Sequence, residues 1–127
     1  MKITAVLDWE LGYFGDRHLD LAWILIPTFE TPGENGERLS SSLLPRAQRI
    51  ADYERASGLK VDSQRLAYYT VFCQWRAVIN ILGTAVRTSG GGKTHQDIVL
   101  SWFAGLGYTM CESLRQALID AGVDAAR

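Results

Sequence analysis

Four acidic side chains fall within the first twenty residues of the chain, at Asp8, Glu10, Asp16 and Asp20. Asp8 ends a short apolar run and precedes a loop that contains glycine. A carboxylate in this position suits a hard cation such as Mg²⁺, which prefers oxygen ligands and keeps water and phosphate oxygens in its shell. It would equally suit a residue that caps the following turn, and the residues alone leave both roles open. For Glu10 we expect solvation.

Asp16 and Asp20 are four residues apart and therefore share one face of a helix. We expect Asp16 to cap a helix that runs from about residue 17 to residue 26, which Pro27 then ends. Leucine, alanine and tryptophan surround Asp20, a setting that favours a buried acceptor organising a neighbouring loop. The alternative is two solvated acids at a helix start, where negative charge is favoured in any case.

The histidines and the glycine-rich segment offer weaker chemistry. His18 and His95 each stand without the Ser, Cys or second His that nucleophilic or metal chemistry requires. The segment Ser89–Thr94 ends in Gly-Lys-Thr, as a phosphate-binding P-loop does, but Arg87 occupies the place of its first glycine and a helix precedes it. We therefore expect a loop between two helices.

One long helical pattern carries residues that could line a substrate pocket. Arg65, Arg76 and Arg87 repeat every eleven residues, close to three helical turns, and form a stripe that would face either an anionic substrate or solvent and ion-pair partners. Trp75, Arg76 and Asn80 are the candidates for a substrate pocket. Core packing is the alternative use of aromatic residues at this spacing.

The elements that must position these residues are mostly helical. Residues 3–7 form a short β-branched run that predicts a buried strand ending at Asp8, although no second strand with turn chemistry follows nearby. Residues 28–42 are rich in Thr, Pro, Gly, Asn and Ser and predict an exposed loop. Apolar periodicity and capping residues predict further helices at about residues 44–57, 64–88 and 95–121. The fold class expected is mainly α with one short N-terminal strand.

Composition limits the possible partners. The 127 residues are 47% hydrophobic, enough for one domain with a core. Thirteen basic and fourteen acidic residues give a formal charge of -1 without a basic run, which argues against nucleic acid. No apolar stretch approaches the roughly 20 residues of a membrane span, and the N-terminus lacks a secretory pattern. We therefore expect a cytoplasmic protein with no membrane partner.

Three short motifs near the N-terminus form a specific pattern: Val6-Leu-Asp-Trp-Glu-Leu, then Gly15-Asp, then Asp20-Leu-Ala-Trp23. In these motifs the chain resembles the aminoglycoside phosphotransferase and choline kinase-like superfamily. Its later part, with Tyr53-Glu-Arg-Ala-Ser-Gly58 and the Tyr68–Arg76 stretch, is similar to the helical C-terminal portion of the branch related to the kinase-like domain of acyl-CoA dehydrogenase fusion proteins.

The resemblance implies a fold and a site. The fold would be the helical C-terminal lobe of a protein-kinase-like α+β fold, and the reaction would be transfer of the γ-phosphoryl group of ATP to a small-molecule hydroxyl. Asp8 would bind the Mg²⁺ that bridges the nucleotide phosphates. Asp20 would brace the catalytic loop, with Asp16 supporting the same site, and the later helices would form the acceptor pocket.

The chain also departs from the family pattern. No His-Gly-Asp segment with a downstream Asn precedes Asp8, and neither a glycine-rich strand loop nor a phosphate-binding Lys stands before it. Phosphoryl transfer depends on all of these parts together. We therefore expect residues 1–127 to be a single partial domain, inactive alone, that binds Mg²⁺ and ATP weakly or not at all. It would pair with a missing N-terminal lobe or with itself; the alternative is a stand-alone helical protein-interaction module derived from that fold.

Overall fold

The computed structural model describes residues 3–7, 9, 12–91, 95 and 102–123. Within these residues the chain is mainly helical, which confirms the expected class. The elements in chain order are α1 (Arg17–Ile24), a short 3₁₀ helix (Pro27–Phe29), β1 (Thr31–Pro32), β2 (Arg38–Ser40), β3 (Leu44–Pro45), α2 (Arg46–Ser57), α3 (Ser63–Gly91) and α4 (Phe103–Asp120).

The core forms where α1 and α4 each pack against the long helix α3. Helix α1 and the two residues just after its end, Leu25 and Ile26, contribute five of the ten buried apolar side chains among the described residues, because apolar residues recur there at helical spacing. The buried apolar cluster consists of Leu19, Leu21, Ala22, Leu25, Ile26, Leu66, Cys73, Ala77 and Met110. Helix α3 is therefore the element against which α1 and α4 are arranged.

Capping residues mark the start of α3 and the end of α2, close to the positions that the sequence predicts. The Asp62 side chain accepts hydrogen bonds from the backbone N–H groups of Gln64 and Arg65, which satisfies two free donors at the start of α3. Helix α2 ends at Gly58, whose φ of 72° is a left-handed conformation that glycine adopts without strain. The prediction of helices at these places is confirmed.

The segment predicted as an exposed loop, residues 28–42, contains two of the three strands of the only sheet among the described residues, so the loop prediction is wrong there. The third strand lies at Leu44–Pro45, where the start of a helix was predicted. Strands β1, β2 and β3 pair in sequence order, each antiparallel to the next. Gly36, at a φ of 82°, completes the β1–β2 turn, and its N–H donates to Gly33 O over 3.1 Å. Ser40 Oγ then donates to Ile24 O over 2.6 Å, which fixes the sheet to the end of α1.

The predicted N-terminal strand is also wrong. Residues 3–7 form neither helix nor strand, and all five are exposed, with Leu7 81% accessible. A strand needs a partner for its backbone N–H and C=O groups, and the three strands of the sheet pair with one another instead. Local β propensity is therefore not sufficient to make residues 3–7 a strand.

The end of α3 differs from prediction. Helix α3 continues through Ser89 and Gly90 to Gly91, where the sequence predicted a glycine-rich break. The remaining residues of that predicted break, 92–94, and most of the predicted start of the last helix, 96–101, lie outside the described residues. Across the described helices, none has the length and hydropathy needed to cross a membrane.

Candidate functional site

An open cleft of about 630 Å³ lies along the N-terminal motifs. Its volume falls in the range of about 300–1,000 Å³ that is usual for small-molecule sites. The described residues that line it are Val6, Leu7, Trp9, Gly12, Tyr13, Phe14, Gly15, Asp16, Arg17, Leu19 and Asp20. The motifs that carry the family resemblance therefore border a single concave surface.

Asp8, the predicted metal ligand, lies outside the described residues. Its sequence neighbours Leu7 and Trp9 both line the cleft. In the part of the chain that the structure describes, no three His, Cys, Asp or Glu side chains come together as a metal site. The assignment of Asp8 as a Mg²⁺ ligand stays a prediction.

Asp16 is the best-connected acidic side chain of the cleft. One carboxylate oxygen, Oδ1, accepts the backbone N–H of His18 over 2.9 Å and lies 2.6 Å from His18 Nδ1. The other, Oδ2, accepts from Arg65 Nη1 over 3.0 Å. This arrangement confirms Asp16 as the N-cap of α1 and also joins the start of α1 to the first turn of α3.

These contacts stabilise the ionised form of Asp16. The backbone N–H of His18, then the His18 ring and the Arg65 guanidinium, lower the pKa of Asp16 from its ordinary value of 3.8 to about 2. Both oxygens of this carboxylate are occupied by protein donors. Asp16 is therefore suited to holding the loop in place and not to binding a cation.

Asp20 departs from the expected burial. Its side chain is exposed on the cleft side of α1, while the neighbouring Leu19 and Leu21 point into the core. The correction follows from helical geometry, because residues next to each other in a helix point about 100° apart and an apolar neighbourhood in sequence need not surround the side chain in space. Asp20 makes no hydrogen bond or ion pair with another described residue, so its carboxylate is open to the cleft.

The three residues of α3 that are predicted to line a pocket have different surroundings in the described part of the chain. Trp75 borders an apolar groove of about 220 Å³ between α3 and α4, lined by Tyr68, Val71, Phe72, Trp75, Leu114 and Leu118. The Arg76 guanidinium instead lies 5.9 Å from the centre of the Trp23 ring and 5.9 Å from that of Phe72, distances typical of cation–π contacts. Asn80 is exposed and borders neither the groove nor the cleft.

Two further residues contact Asp16, although neither is predicted as part of the site. His18 was predicted only as an isolated histidine. It lies on α1 and is buried against the segment before α3. Arg65, the first member of the arginine stripe, is the ion-pair partner of Asp16. The contact between Asp16 and His18 has a local signal, because the histidine follows two residues after an aspartate that caps a helix. Arg65 is 49 residues away from Asp16 in sequence, so no local pattern indicates that contact.

Comparison with known proteins adds no relative. No protein-family model matches the chain, and searches of curated proteins and of solved structures also found no match.

Proposed function

We propose that this chain is the C-terminal portion of an ATP-dependent small-molecule phosphotransferase, bearing the metal-binding Asp8 and the acceptor-side helices of a kinase-like lobe. The observation that carries the proposal is the cleft itself. Residues on both sides of Asp8, together with Asp16 and Asp20, border one surface whose volume suits a small ligand. A site for phosphoryl transfer needs carboxylates at such a surface, because Mg²⁺ neutralises the charge of the phosphates.

The described residues fit a role in support of such a site. Asp16 holds the end of the loop by its contacts with His18 and Arg65. Asp20 offers a carboxylate free of described partners on the cleft side, and carboxylate oxygen is a preferred ligand of Mg²⁺. Mg²⁺ and ATP would enter beside Asp8 and Asp20. The acceptor would be a small molecule with a hydroxyl group, and the protein would work in the cytoplasm.

The genomic sequence directly upstream of Met1 gives the first test, read in all frames. The proposal expects a His-Gly-Asp segment, a downstream Asn and a nucleotide-binding lobe in frame or as a neighbouring gene. Production of both parts together should then give ATP consumption with a panel of hydroxyl acceptors, and Asp8→Asn should abolish it. Complete absence of these segments, or ATP consumption that Asp8→Asn leaves unchanged, would overturn the proposal.

The isolated chain supplies the second test, a thermal-shift titration with Mg-ATP. Because the base and the nucleotide lobe are not in this chain, we expect wild-type protein and Asp8→Asn to respond alike, with a shift near zero. A large shift in the wild type that Asp8→Asn removes would show that the chain binds the nucleotide by itself, and the expectation of an inactive partial domain would be wrong.

A second candidate function, a stand-alone protein-interaction module, is favoured by one observation. Several large apolar side chains before α1 are exposed, among them Ile3, Leu7, Trp9 and the fully exposed Phe14. Contiguous apolar surface of this kind is typical of protein-binding faces. Such a module would form a specific complex of fixed stoichiometry whose affinity is indifferent to Asp8→Asn, whereas the phosphotransferase depends on that residue.

A further inference from the structure

The side of α3 that points away from the core is apolar, whereas a surface helix normally carries polar side chains there. The core residues Leu66, Cys73 and Ala77 lie on the opposite side of the helix. Large apolar residues recur on the outer side at alternating steps of four and three, the spacing of a coiled-coil seam. They form what we call the α3 stripe: Tyr68, Phe72, Trp75, Ile79, Leu82 and Val86. All except Phe72 and Leu82 are between 48% and 72% exposed.

Three arginines follow one edge of the α3 stripe. Arg65, Arg76 and Arg87 lie about 60–100° around the helix from its middle, and the Arg76 guanidinium is 5.9 Å from the centre of the Phe72 ring. The 29 residues of α3 include no Asp, Glu or Lys. In the described part of the chain, Arg65 alone of the three has an ion-pair partner, Asp16. This edge is therefore a line of positive charge beside apolar surface.

The other edge of the α3 stripe is concave. The apolar groove of about 220 Å³ lies there, with Leu114 and Leu118 of α4 on one side and Tyr68, Phe72 and Trp75 on the other. Side chains that project from a helix can fill such a groove. A flat surface such as a lipid bilayer would leave it empty, so the shape favours a helix as the occupant.

We propose that the α3 stripe, with the groove and the arginine edge, binds an amphipathic helix of a partner protein. The partner helix packs apolar side chains at steps of three and four against the stripe and sets acidic side chains along the arginine edge. The arginines repeat every eleven residues. Because two α-helices have the same rise per residue, the acidic side chains that meet them repeat at about the same interval. The stripe is about 27 Å long, so about five turns of the partner cover it.

Charge argues against a second copy of this chain as the occupant. If two copies met stripe to stripe with antiparallel α3 helices, both arginine edges would lie on the same side of the interface. Like charges placed together weaken an interface, and α3 has no acidic residue to pair with them. Parallel α3 helices would set each arginine edge against the apolar groove of the other copy. A partner with acidic side chains neutralises the edge instead.

This surface is separate from the cleft of the proposed phosphotransferase, because no residue of α3 is among the described residues that line the cleft. The inference is therefore independent of that function, and its test uses the full chain without nucleotide. The probe is a labelled synthetic helix of about 25 residues, or about 37 Å. It carries Leu and Ile at steps of three and four and three Glu residues, about eleven apart, along one edge. A control peptide of the same composition carries its Glu residues on the opposite face.

Fluorescence anisotropy gives the affinity of the wild-type chain for both peptides. We expect the peptide with the acidic edge to bind about tenfold more tightly than the control. This advantage should shrink at high salt, because ions screen exposed charges.

Matched variants locate the contact on α3. Ile79→Ser shortens the middle of the stripe and should weaken binding about tenfold, whereas Ile119→Ser, at an exposed residue of α4 that does not line the groove, should leave it unchanged. Arg87→Glu should weaken binding about fivefold. Arg55→Glu makes the same change of charge at an exposed residue of α2 and should have no effect.

Four results would overturn the proposal. Equal binding of the two peptides by the wild-type chain would remove the acidic edge from it, and this comparison stands even if a variant fails to fold. Equal effects of Ile79→Ser and Ile119→Ser would place the contact elsewhere. A dimer in light scattering that Ile79→Ser abolishes would make a second copy the occupant. Displacement of the peptide by vesicles of phosphatidylcholine and phosphatidylserine, lost in Ile79→Ser, would make the face a membrane-binding one.

Discussion

The Asp16 carboxylate accepts hydrogen bonds from three donor groups. We therefore expect the free energy of unfolding to depend on pH in the acidic range. The pKa of Asp16 is about 2 in the folded chain against an ordinary value of 3.8. Because the folded value is the lower one, the contribution of Asp16 to stability is complete above about pH 4 and is lost as the pH falls through about 2. Chemical denaturation at successive pH values from 5 to 2 measures this loss.

Two substitutions separate the charge of Asp16 from its cap. Asp16→Asn can still cap α1 but cannot titrate, so its stability should change less between pH 4 and pH 2 than that of the wild type. Asp16→Ala removes the cap as well and should lower Tm by several degrees more than Asp16→Asn at neutral pH. Equal Tm values for the two variants would contradict the capping role.

The two cysteines are predicted to differ in reactivity. Burial raises the pKa of the Cys73 thiol to about 11, and its Sγ lies 3.6 Å from Leu19 O in the core. Cys111 is exposed on α4. Since the thiolate is the reactive form, iodoacetamide at pH 8 followed by mass spectrometry should label only Cys111 in the folded chain. Cys111→Ser should remain unlabelled until denaturant is added, and labelling of native Cys111→Ser would disprove the buried position of Cys73.

At the residue scale, the sequence predicts contacts that are local and misses those that are not. An aspartate just before a helical pattern identifies Asp16 as the cap, because capping depends on neighbours two residues away. The burial expected for Asp20 is wrong, since it was judged from sequence neighbours that point in other directions. The contact between His18 and Asp62 depends on how α1 meets α3, which no local pattern contains.

Gly107 marks a place where α4 lies close to α3. A Cβ at position 107 would collide with Leu82, whose Cδ2 and Cγ occupy that space, whereas Gly105 on the same helix has no neighbour in reach of a Cβ. Overpacking costs about 1–3 kcal/mol, and replacing helical glycine by alanine gains up to about 1 kcal/mol. Gly105→Ala should therefore stabilise the chain and Gly107→Ala should destabilise it.

Urea denaturation of the two glycine variants gives the comparison directly. Both carry the same chemical change on one helix, so the difference in their free energies of unfolding isolates the contact with Leu82. We expect that difference to be about 1–3 kcal/mol. A Gly107→Ala variant as stable as Gly105→Ala would show that Leu82 moves aside without cost.

At the element scale, strong helical periodicity is predictable and short strands are not. The patterns of α1, α2 and α3 extend over two turns or more, and each has a capping residue at one end: Asp16, Gly58 and Asp62, respectively. The strands contain only two or three residues each, too few to show the alternation that identifies a strand. Asn35-Gly36 is a dipeptide typical of turns, but it does not by itself show that strands flank the turn.

At the scale of the whole molecule, many large apolar side chains of the described residues remain exposed, and two groups of them border a concave surface. One is the segment before α1, where Leu7 and Phe14 are exposed. The other is the groove between α3 and α4, bordered by the exposed Tyr68 and by Trp75. Uncovered apolar area of this kind favours association, because about 25 cal/mol is gained for each Å² removed from water.

We therefore predict that the chain self-associates at high concentration, with the segment before α1 as the main contact. Multi-angle light scattering over a concentration series should show a mass that rises above that of one 14.1 kDa chain. The double variant Leu7→Ser/Phe14→Ser should shift the mass toward the monomer. Tyr68→Ser/Trp75→Ser, which removes exposed apolar area from the groove instead, should change it less.

The paired variants make the location of the contact testable. Both remove two large apolar side chains that are at least 48% exposed, so neither change should unfold the core. A larger effect of Tyr68→Ser/Trp75→Ser would move the contact to the groove. A wild-type chain that stays monomeric at high concentration would mean that the exposed segment before α1 does not drive association, and this would also weaken the second candidate function, which depends on the same apolar side chains.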